Sequence, residues 1–439
     1  MRFFIIITTM SIKELYDLFL RYPKISTDSR RIEKDAIFFA LKGDNFNGNS
    51  YAKSALGQGA AFSVIDEAEY NIDDRCILVD DVLATLQALA RHHRIQLGVP
   101  IIAITGSNGK TTTKELVTAV MSKKFRVDYT KGNLNNHIGV PLTLLSMSVR
   151  TEIGVVEMGA NHAGEIALLC DIALPDFGLI TNVGKAHLEG FGSFEGVKKA
   201  KGELYQFLQR KKGKVFLNTS DEHLKEMAGE VETIDYKTTR EGRGIEGELL
   251  QSSPTMVFQA RFPRGWLYIK SKLAGGYNIG NALAAVCIGN YFGVNPLDIR
   301  EAIEEYKPSN NRSQFIRTAG NQILMDAYNA NPSSMEAALE NFKTFDAPLK
   351  GVILGDMFEL GEAAQDEHQK IADKLSTMKL DMVLLAGKEF SRCQVSSGFQ
   401  VFNDIALLIN YIEHLNPKGV LFLLKGSRGM RLENVVDKL

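Results

Sequence analysis

The sequence predicts an α/β protein of three domains, the central one built on a mostly parallel sheet covered on both faces. Two observations carry this. The 439 residues are about three domains' worth at roughly 150 residues each. From Phe38 onward, short unbroken apolar runs alternate with helical patterns, and unbroken apolar strands belong to parallel sheets buried on both faces.

The first domain, residues 10–97, opens at Ser11-Ile12-Lys13-Glu14-Leu15, a capped amphipathic helix start. Its strands are the runs Phe38 to Leu41, Ala61 to Ile65 and Cys76 to Val79, followed by a helical pattern over Val82 to Arg94. A second domain, residues 98–310, begins with the apolar strand Ile101 to Thr105, which runs into a glycine-rich turn. Buried-type strands recur at Gly154 to Met158, Phe177 to Thr181 and Lys214 to Leu217. Gly244 to Lys272 instead alternates polar and apolar residues and holds the only tryptophan, Trp266, which predicts an antiparallel patch. A helix over Asn278 to Phe292 closes this domain. After the polar linker Pro308-Ser309-Asn310-Asn311, strands at Gln322 to Met325, Gly351 to Leu354, Met382 to Ala386 and Val420 to Leu424 predict a third α/β domain, residues 311–439. There is no internal repeat and no low-complexity tract.

Composition excludes several classes of function. Lys and Arg total 51 against 52 Asp and Glu, a net charge of -1 with no long single-sign block, so neither a nucleic-acid partner nor an anionic membrane surface is implied. With 45% hydrophobic residues the chain can bury several cores and is not a disordered protein. Cys76, Cys170, Cys287 and Cys393 are far apart and form no C-x-x-C pair, which fits a reducing, cytoplasmic setting better than a zinc site or a disulfide framework. The apolar run Phe3 to Ile7 is too short to span a membrane and has no small-residue cleavage site after it. Because Met10 directly precedes the capped helix start, residues 1–9 are expected to be an upstream start-codon extension.

The strongest local signal is Ile104-Thr105-Gly106-Ser107-Asn108-Gly109-Lys110-Thr111-Thr112-Thr113. A buried strand enters a glycine turn and then a helix, so backbone N–H groups can close around phosphate oxygens, Lys110 supplies a point charge, and the Thr111 hydroxyl can reach Mg²⁺. The general P-loop places four residues between its glycines. Here only Ser107 and Asn108 separate Gly106 from Gly109, and Ile104 stands where that pattern wants its first glycine; the alternative is a strand-to-helix turn with an incidental lysine. Glu157 ends a strand expected beside this one, where a carboxylate among apolar residues is costly unless it meets a cation. It reads either as a metal ligand or as a surface carboxylate. His187 follows the strand that ends at Thr181 and reads either as a ligand or as a structural loop histidine. Composition does not choose among Lys198, Lys199 and Lys201, and a solvated helix face accounts for all three.

Together these residues resemble the Mur ligase family, the ATP-dependent amide-forming enzymes of peptidoglycan precursor synthesis, whose short-spaced P-loop is matched by Thr105 to Thr112. Further matching motifs are Thr27-Asp28-Ser29-Arg30, Phe38 to Gly43, Gly132-Asn133-Leu134-Asn135-Asn136 and Glu157-Met158-Gly159-Ala160-Asn161-His162. Others are Ala186 to Ser193, Tyr328-Asn329-Ala330-Asn331-Pro332, Gly355 to Gly361 and Lys425-Gly426-Ser427-Arg428. The resemblance covers residues 10 to 439, and its later motifs are those of the branch that adds D-alanyl-D-alanine to UDP-N-acetylmuramoyl-tripeptide. It implies an N-terminal α/β domain binding the UDP-sugar peptide, a central P-loop ATPase-type domain and a C-terminal Rossmann-like domain binding the incoming dipeptide.

The resemblance also implies site residues. Gly106, Ser107, Asn108, Gly109, Lys110, Thr111 and Thr112 would hold the ATP phosphates. Thr111, Glu157, His187 and Lys201 would serve two Mg²⁺ ions, with Lys201 carbamylated by CO₂, and Lys110, Glu157, His187 and Lys201 would be catalytic. A carbamate is an anionic oxygen ligand of the kind Mg²⁺ prefers, whereas a free ammonium would repel the ion. Asn278 and Asn281 match an asparagine pair near the adenine, although Asn278 could equally cap a helix. Arg312 would reach the γ-phosphate and Asp326 the ribose. Ser29, Arg30, Lys42, Asn135 and Asn136 would contact the UDP-sugar peptide, and Lys425, Ser427 and Arg428 the carboxylate of the dipeptide. The protein would act as a cytoplasmic monomer, with no nucleic acid or membrane partner.

Two stretches depart from the pattern. Asn45-Phe46-Asn47-Gly48-Asn49 stands where relatives commonly show an Asp-Gly-His core, and Asn311 stands where a glycine usually precedes the linker arginine. The alternatives are a sister ligase adding the third amino acid, whose diaminopimelate-adding members carry an Asp-Asn-Pro-Arg motif absent here, or a non-catalytic ATP-binding relative. The latter would not need Lys110, Glu157, His187 and Lys201 together.

Overall fold

A computed structural model describes residues 10–238, 244–263 and 265–439, so the expected extension at residues 1–9 lies outside the described residues. The chain divides into two compact units. Of the described residues, one unit takes those up to Ala103 together with Phe125–Gly159 and Glu165–Phe177; the other takes those of Ile104–Lys124, Ala160–Gly164 and Gly178–Leu439.

In the first unit the Ile12–Arg21 helix starts as its sequence predicts. The Ser11 hydroxyl accepts from the Glu14 N–H while the Glu14 carboxylate accepts from the Ser11 N–H, a reciprocal capping box. Leu15, Leu18 and Phe19 are buried on one face. The strands Lys24–Ser26, Ala36–Phe39, Phe62–Ile65 and Cys76–Leu78 form a four-stranded sheet in that order, parallel throughout. The Val82–Leu97 helix is capped by Asp81 and stops at Gly98, whose φ of 62° suits a residue without a Cβ. A parallel pair, Val127–Tyr129 with Ile153–Glu157, carries Glu157 at its end.

In the second unit six strands lie in the order Gly265–Lys270, Val257–Phe262, Ile245–Gln251, Glu232–Lys237, Lys214–Asn218 and Phe177–Ile180. The first two junctions are antiparallel, as the polar-apolar alternation of 244–272 predicts, and the next two are parallel. The Ile279–Tyr291 helix buries residues all round, from Asn281 to Gly289, which is why its sequence is apolar on every face.

A six-stranded sheet follows the linker, in the order Gln314–Arg317, Gln322–Met325, Val420–Lys425, Leu349–Gly355, Met382–Ala386 and Gln400–Phe402. It is parallel except for the opening hairpin. Hydrophobic clusters cover both of its faces, one around Leu339, Phe342 and Phe390 and the other around Leu408, Phe422 and Leu432. The strands that apolar runs do not announce, Lys24–Ser26, Val127–Tyr129, Gln314–Arg317 and Gln400–Phe402, have few or no fully buried residues. Half-buried strands carry polar residues and lose the run that marks a central strand.

Candidate active site

The glycine turn after Thr105 is fixed by contacts that leave no room for side chains. A Cβ on Gly106, at φ 138°, would stand 2.0 Å from the Thr181 hydroxyl, and one on Gly109, at φ 78°, would stand 2.6 Å from Asn281 Oδ1. The loop is bolted to residues 181–184. Ser107 N–H donates to the Asn182 carbonyl at 3.0 Å, Asn108 N–H to Asn182 Oδ1 at 3.0 Å, and the Thr181 hydroxyl to the Asn108 carbonyl at 2.6 Å. The Ser107 hydroxyl donates to the Gly184 carbonyl and accepts from the Gly184 N–H. From the C-terminal sheet region, Asn331 Nδ2 donates to Asn108 Oδ1 at 2.8 Å.

The Lys110–Met121 helix begins at the second glycine of this turn. Its first turn, Lys110 to Thr112, carries N–H groups with no intrahelical carbonyl to meet, at the positive end of the helix dipole. Thr111 and Thr112 are buried there. Lys110 Nζ curls back to donate to the Gly106 carbonyl at 2.7 Å and lies 3.3 Å from that of Ser107. The arrangement is an anion cradle with a cation on its rim.

One side of the cradle is a chain of amides. The Thr113 hydroxyl donates to Asn281 Oδ1 at 3.1 Å, Asn281 Nδ2 to Asn278 Oδ1 at 2.9 Å, and Asn278 Nδ2 to the Ala274 carbonyl and to Ser313 Oγ. Asn278 precedes the helix at 279 but makes no capping bond with its side chain, which removes the capping alternative. Ser313 belongs to the linker, where Asn310, Asn311 and Ser313 all adopt positive φ. Next to it Arg312 sits over Tyr328, its Cζ 3.6 Å from the ring centre.

The residues expected to meet the dipeptide divide by burial. Lys425 is buried and donates to Asp326 Oδ2 at 2.7 Å, with the Asp326 and Asn329 carbonyls at 3.3 and 3.4 Å. Ser427 is buried, and its hydroxyl accepts from the Phe358 N–H at 2.8 Å. Arg428 is exposed and donates from Nη1 to the Tyr328 hydroxyl at 3.0 Å.

His187 starts the short Leu188–Phe191 helix in a left-handed conformation, and its Nδ1 contacts Glu359 Oε2. The Glu359 carboxyl is held below its usual range chiefly by its contact with His187, against the effect of its own burial, with Lys110 adding a smaller pull. Glu359 is thus a site residue that the motif Gly355 to Gly361 contained and that no role singled out. The three lysines of the following helix differ in burial. Lys198 is paired with Glu226 and Lys199 is exposed, while Lys201 is 1% exposed, with Nζ 3.4 Å from the Ala160 carbonyl and 5.3 Å from the centre of the Phe191 ring.

Within the first unit, Glu157 is buried at its strand end. Its N–H donates to the Thr130 hydroxyl at 2.9 Å, and Asn135 Nδ2 donates to its Oε1 at 2.8 Å. Asn136 turns the other way and accepts from the N–H groups of Ile138 and Gly139 at the start of the next helix. Lys42 reaches Asp66 at 2.9 Å and Glu67 at 2.8 Å. Asn49 and Asn47, from the departing stretch, bind the same two carboxylates. Gly48 between them has no space for a Cβ, which would stand 2.2 Å from the Leu41 carbonyl. Arg30 closes a two-point bridge onto Asp28, holding that carboxyl down to about 2, with the Ser29 carbonyl accepting from Gln58.

Residues 21–94, 104–289 and 311–428 match three family profiles, described as "Mur ligase family, catalytic domain", "Mur ligase middle domain" and "Mur ligase, glutamate ligase domain". The UDP-N-acetylmuramoyl-tripeptide–D-alanyl-D-alanine ligase of Bacillus subtilis (strain 168) is 36% identical over 430 residues, spanning 94% of this chain and 92% of its own. The chain belongs to the Mur ligase family. The Escherichia coli (strain K12) ligase of the same name is 32% identical over 97% of this Mur ligase and 95% of its own length. Among solved structures, a crystal structure of MurF from Acinetobacter baumannii superposes with a TM-score of 0.86 at 32% identity, covering 95% of this chain and 93% of that one. MurF ligase from Thermotoga maritima in complex with ADP superposes with a TM-score of 0.85 at 27% identity, covering 96% and 97%. This Mur ligase is therefore an ATP-dependent amide ligase with an α/β architecture of three family domains.

Proposed function

We propose that this Mur ligase joins D-alanyl-D-alanine to UDP-N-acetylmuramoyl-tripeptide, converting ATP to ADP and phosphate and giving the UDP-N-acetylmuramoyl-pentapeptide of peptidoglycan precursor synthesis. The observation that carries this is the near full-length likeness, 36% over 94% of the chain, to a ligase named for that reaction. Residues 10–97 take the UDP-sugar peptide, 98–310 take ATP and 311–439 take the dipeptide. By the family resemblance the enzyme works as a monomer in the cytoplasm. Among the described residues no helix is long and apolar enough to cross a membrane.

An amide does not form from a carboxylate and an amine in water without activation. The tripeptide carboxylate attacks the γ-phosphorus of ATP, ADP leaves, and the resulting acyl phosphate is attacked by the dipeptide amine, which expels phosphate. At 4 Å and an effective dielectric near 20, each pair of unit negative charges repels by about 4 kcal/mol. Lys110 and the amides of its helix's first turn offset that repulsion at the phosphates. Arg312 reaches the γ-phosphate, Asn278 and Asn281 border the adenine, and Asp326 meets the ribose while anchoring Lys425. Because Lys425 and Ser427 are bound inward, the dipeptide carboxylate falls to Arg428. Holding three reactants in line contributes roughly 7 to 11 kcal/mol toward the barrier.

The donor chemistry fits Mg²⁺ and a carbamate. Thr111 offers a hydroxyl, Glu157 a carboxylate oriented by Asn135, and His187 an imidazole. A carbamate on the buried Lys201 would be an oxygen ligand of the kind Mg²⁺ takes. Mg²⁺ is commonly held by one or two protein carboxylates together with phosphate oxygens. Two such ions would neutralise the phosphates and polarise the transferred group.

The test is phosphate release from ATP with UDP-N-acetylmuramoyl-tripeptide, with and without D-alanyl-D-alanine, followed by product mass. Release that needs both substrates, with a product heavier by one dehydrated dipeptide, is expected. ATP binding without release would point to another acceptor or to a non-catalytic relative.

A further inference from the structure

Tyr328 has no role in the reaction as derived above, yet two functional arginines meet on it. Arg312 Cζ lies 3.6 Å from the ring centre and Arg428 Cζ 5.0 Å from it. Arg428 Nη1 donates to the Tyr328 hydroxyl at 3.0 Å. Arg312 Nε is buried and has no hydrogen-bond partner among the described residues. A buried guanidinium nitrogen left unmatched is costly, and the contact that holds this guanidinium over the Tyr328 ring is cation–π.

The ring itself is held from both sides in sequence. Ala327 N–H donates to the Asn311 carbonyl at 2.9 Å, tying the strand end to the linker one residue before Arg312. Asp326, two residues before the ring, holds Lys425 at 2.7 Å, three residues before Arg428. Ser313 N–H lies 3.4 Å from Asp326 Oδ1. Linker and strand end are therefore tied to each other beside Tyr328.

We propose that Tyr328 is a positioning residue that sets Arg312, through its ring, for the terminal phosphate of ATP and Arg428, through its hydroxyl, for the carboxylate of the incoming dipeptide. This rests on the assignments of Arg312 and Arg428 made above.

Steady-state kinetics of Tyr328→Phe, Tyr328→Leu, Arg312→Lys and the double variant Tyr328→Leu/Arg312→Lys test it, with ATP and D-alanyl-D-alanine varied separately. Tyr328→Phe keeps the aromatic face and loses only the hydroxyl. It should raise KM for the dipeptide about 5-fold, the scale of one exposed hydrogen bond to a charge, and leave KM for ATP alone. Tyr328→Leu should raise KM for ATP as well, by about 5- to 30-fold, the scale of a desolvated cation–π contact. In the double variant KM for ATP should be no worse than in Arg312→Lys.

A residue that merely stabilised the fold would lower Tm and would not split the two KM values, so thermal melts accompany the kinetics. If Tyr328→Phe moves both KM values equally or neither, or if the double variant is additive, the proposal fails. A Tyr328→Leu chain that does not fold leaves the Phe split to decide. If Arg312→Lys leaves KM for ATP unchanged, the assignment of Arg312 is wrong and the role of Tyr328 falls with it. If Arg312→Lys raises that KM while Tyr328→Leu does not, Arg312 stands and Tyr328 alone is overturned.

Discussion

Lys110 and Lys42 are both expected to meet anions, but their surroundings differ in kind. The loop that carries Lys110 is held by hydrogen bonds between neutral groups, from Ser107, Asn108, Thr181, Asn182 and Asn331, most of them partly or wholly buried. Lys42, 46% exposed, is held by two carboxylates that two asparagines steady. Buried neutral hydrogen bonds are directional and insensitive to salt, whereas exposed ion pairs are screened within about 10 Å at 0.1 M ionic strength. The first arrangement suits chemistry, which needs fixed geometry. The second suits recognition, which needs only a charge within reach.

The largest effect expected from this contrast is at Lys110. Lys110→Ala should lower kcat for phosphate release by about 10³-fold, the scale of losing a preorganised charge at a developing anion. A drop under tenfold would mean that the cradle works through its amides alone and would erase the distinction. Next is Lys201→Ala, which should lose activity on the order of 10²-fold and regain part of it with added short carboxylates, which can stand in for a carbamate. Full activity without any addition would remove Lys201 from the catalytic set.

A smaller and differently shaped effect belongs to Lys42. Lys42→Met should raise KM for the UDP-sugar peptide about 3-fold with kcat unchanged, and the difference from wild type should shrink as salt is raised. A fall in kcat instead would place Lys42 with the chemistry. The smallest effect is in stability against pH. For Asp66, burial raises the carboxyl, but Lys42 and Asn49 more than offset it; for Glu67, Lys42 and Asn47 lower it outright. Carboxyls lowered in the folded state contribute stability above their ordinary values of 3.8 and 4.5. That contribution is lost as pH falls through the lowered values. Tm measured from pH 6 down to about pH 3 should therefore fall slightly less steeply in Lys42→Met, by about 2 °C or less. Identical curves would show that the exposed cluster adds no stability.

Much of the fold is written in short stretches of sequence. The strand Ile101–Thr105, the helix start at Ser11 and the antiparallel patch around Trp266 depend on hydrophobic period and on caps within three or four residues. Gly106 and Gly109 are likewise legible, because only glycine accepts their φ beside such close neighbours. The half-buried strands are not legible in this way, since Val127-Asp128-Tyr129 and Gln400-Val401-Phe402 become strands only because a neighbouring strand offers them a ladder.

The active-site details divide along the same line. Which of Lys198, Lys199 and Lys201 is buried depends on what packs against an 18-residue helix, and local sequence has no access to that. Asp326 meets Lys425 across 99 positions, and Asn108 meets Asn331 across 223. His187 meets Glu359, and Arg312 and Arg428 share the ring of Tyr328. None of these pairs has a sequence period or a spacing rule. Turns, caps and strand types are settled by energies that act between near neighbours in the chain, so they can be read from residue order. The partner of a buried charge is settled by which distant surface closes over it, and that closure exists only once the whole chain has packed.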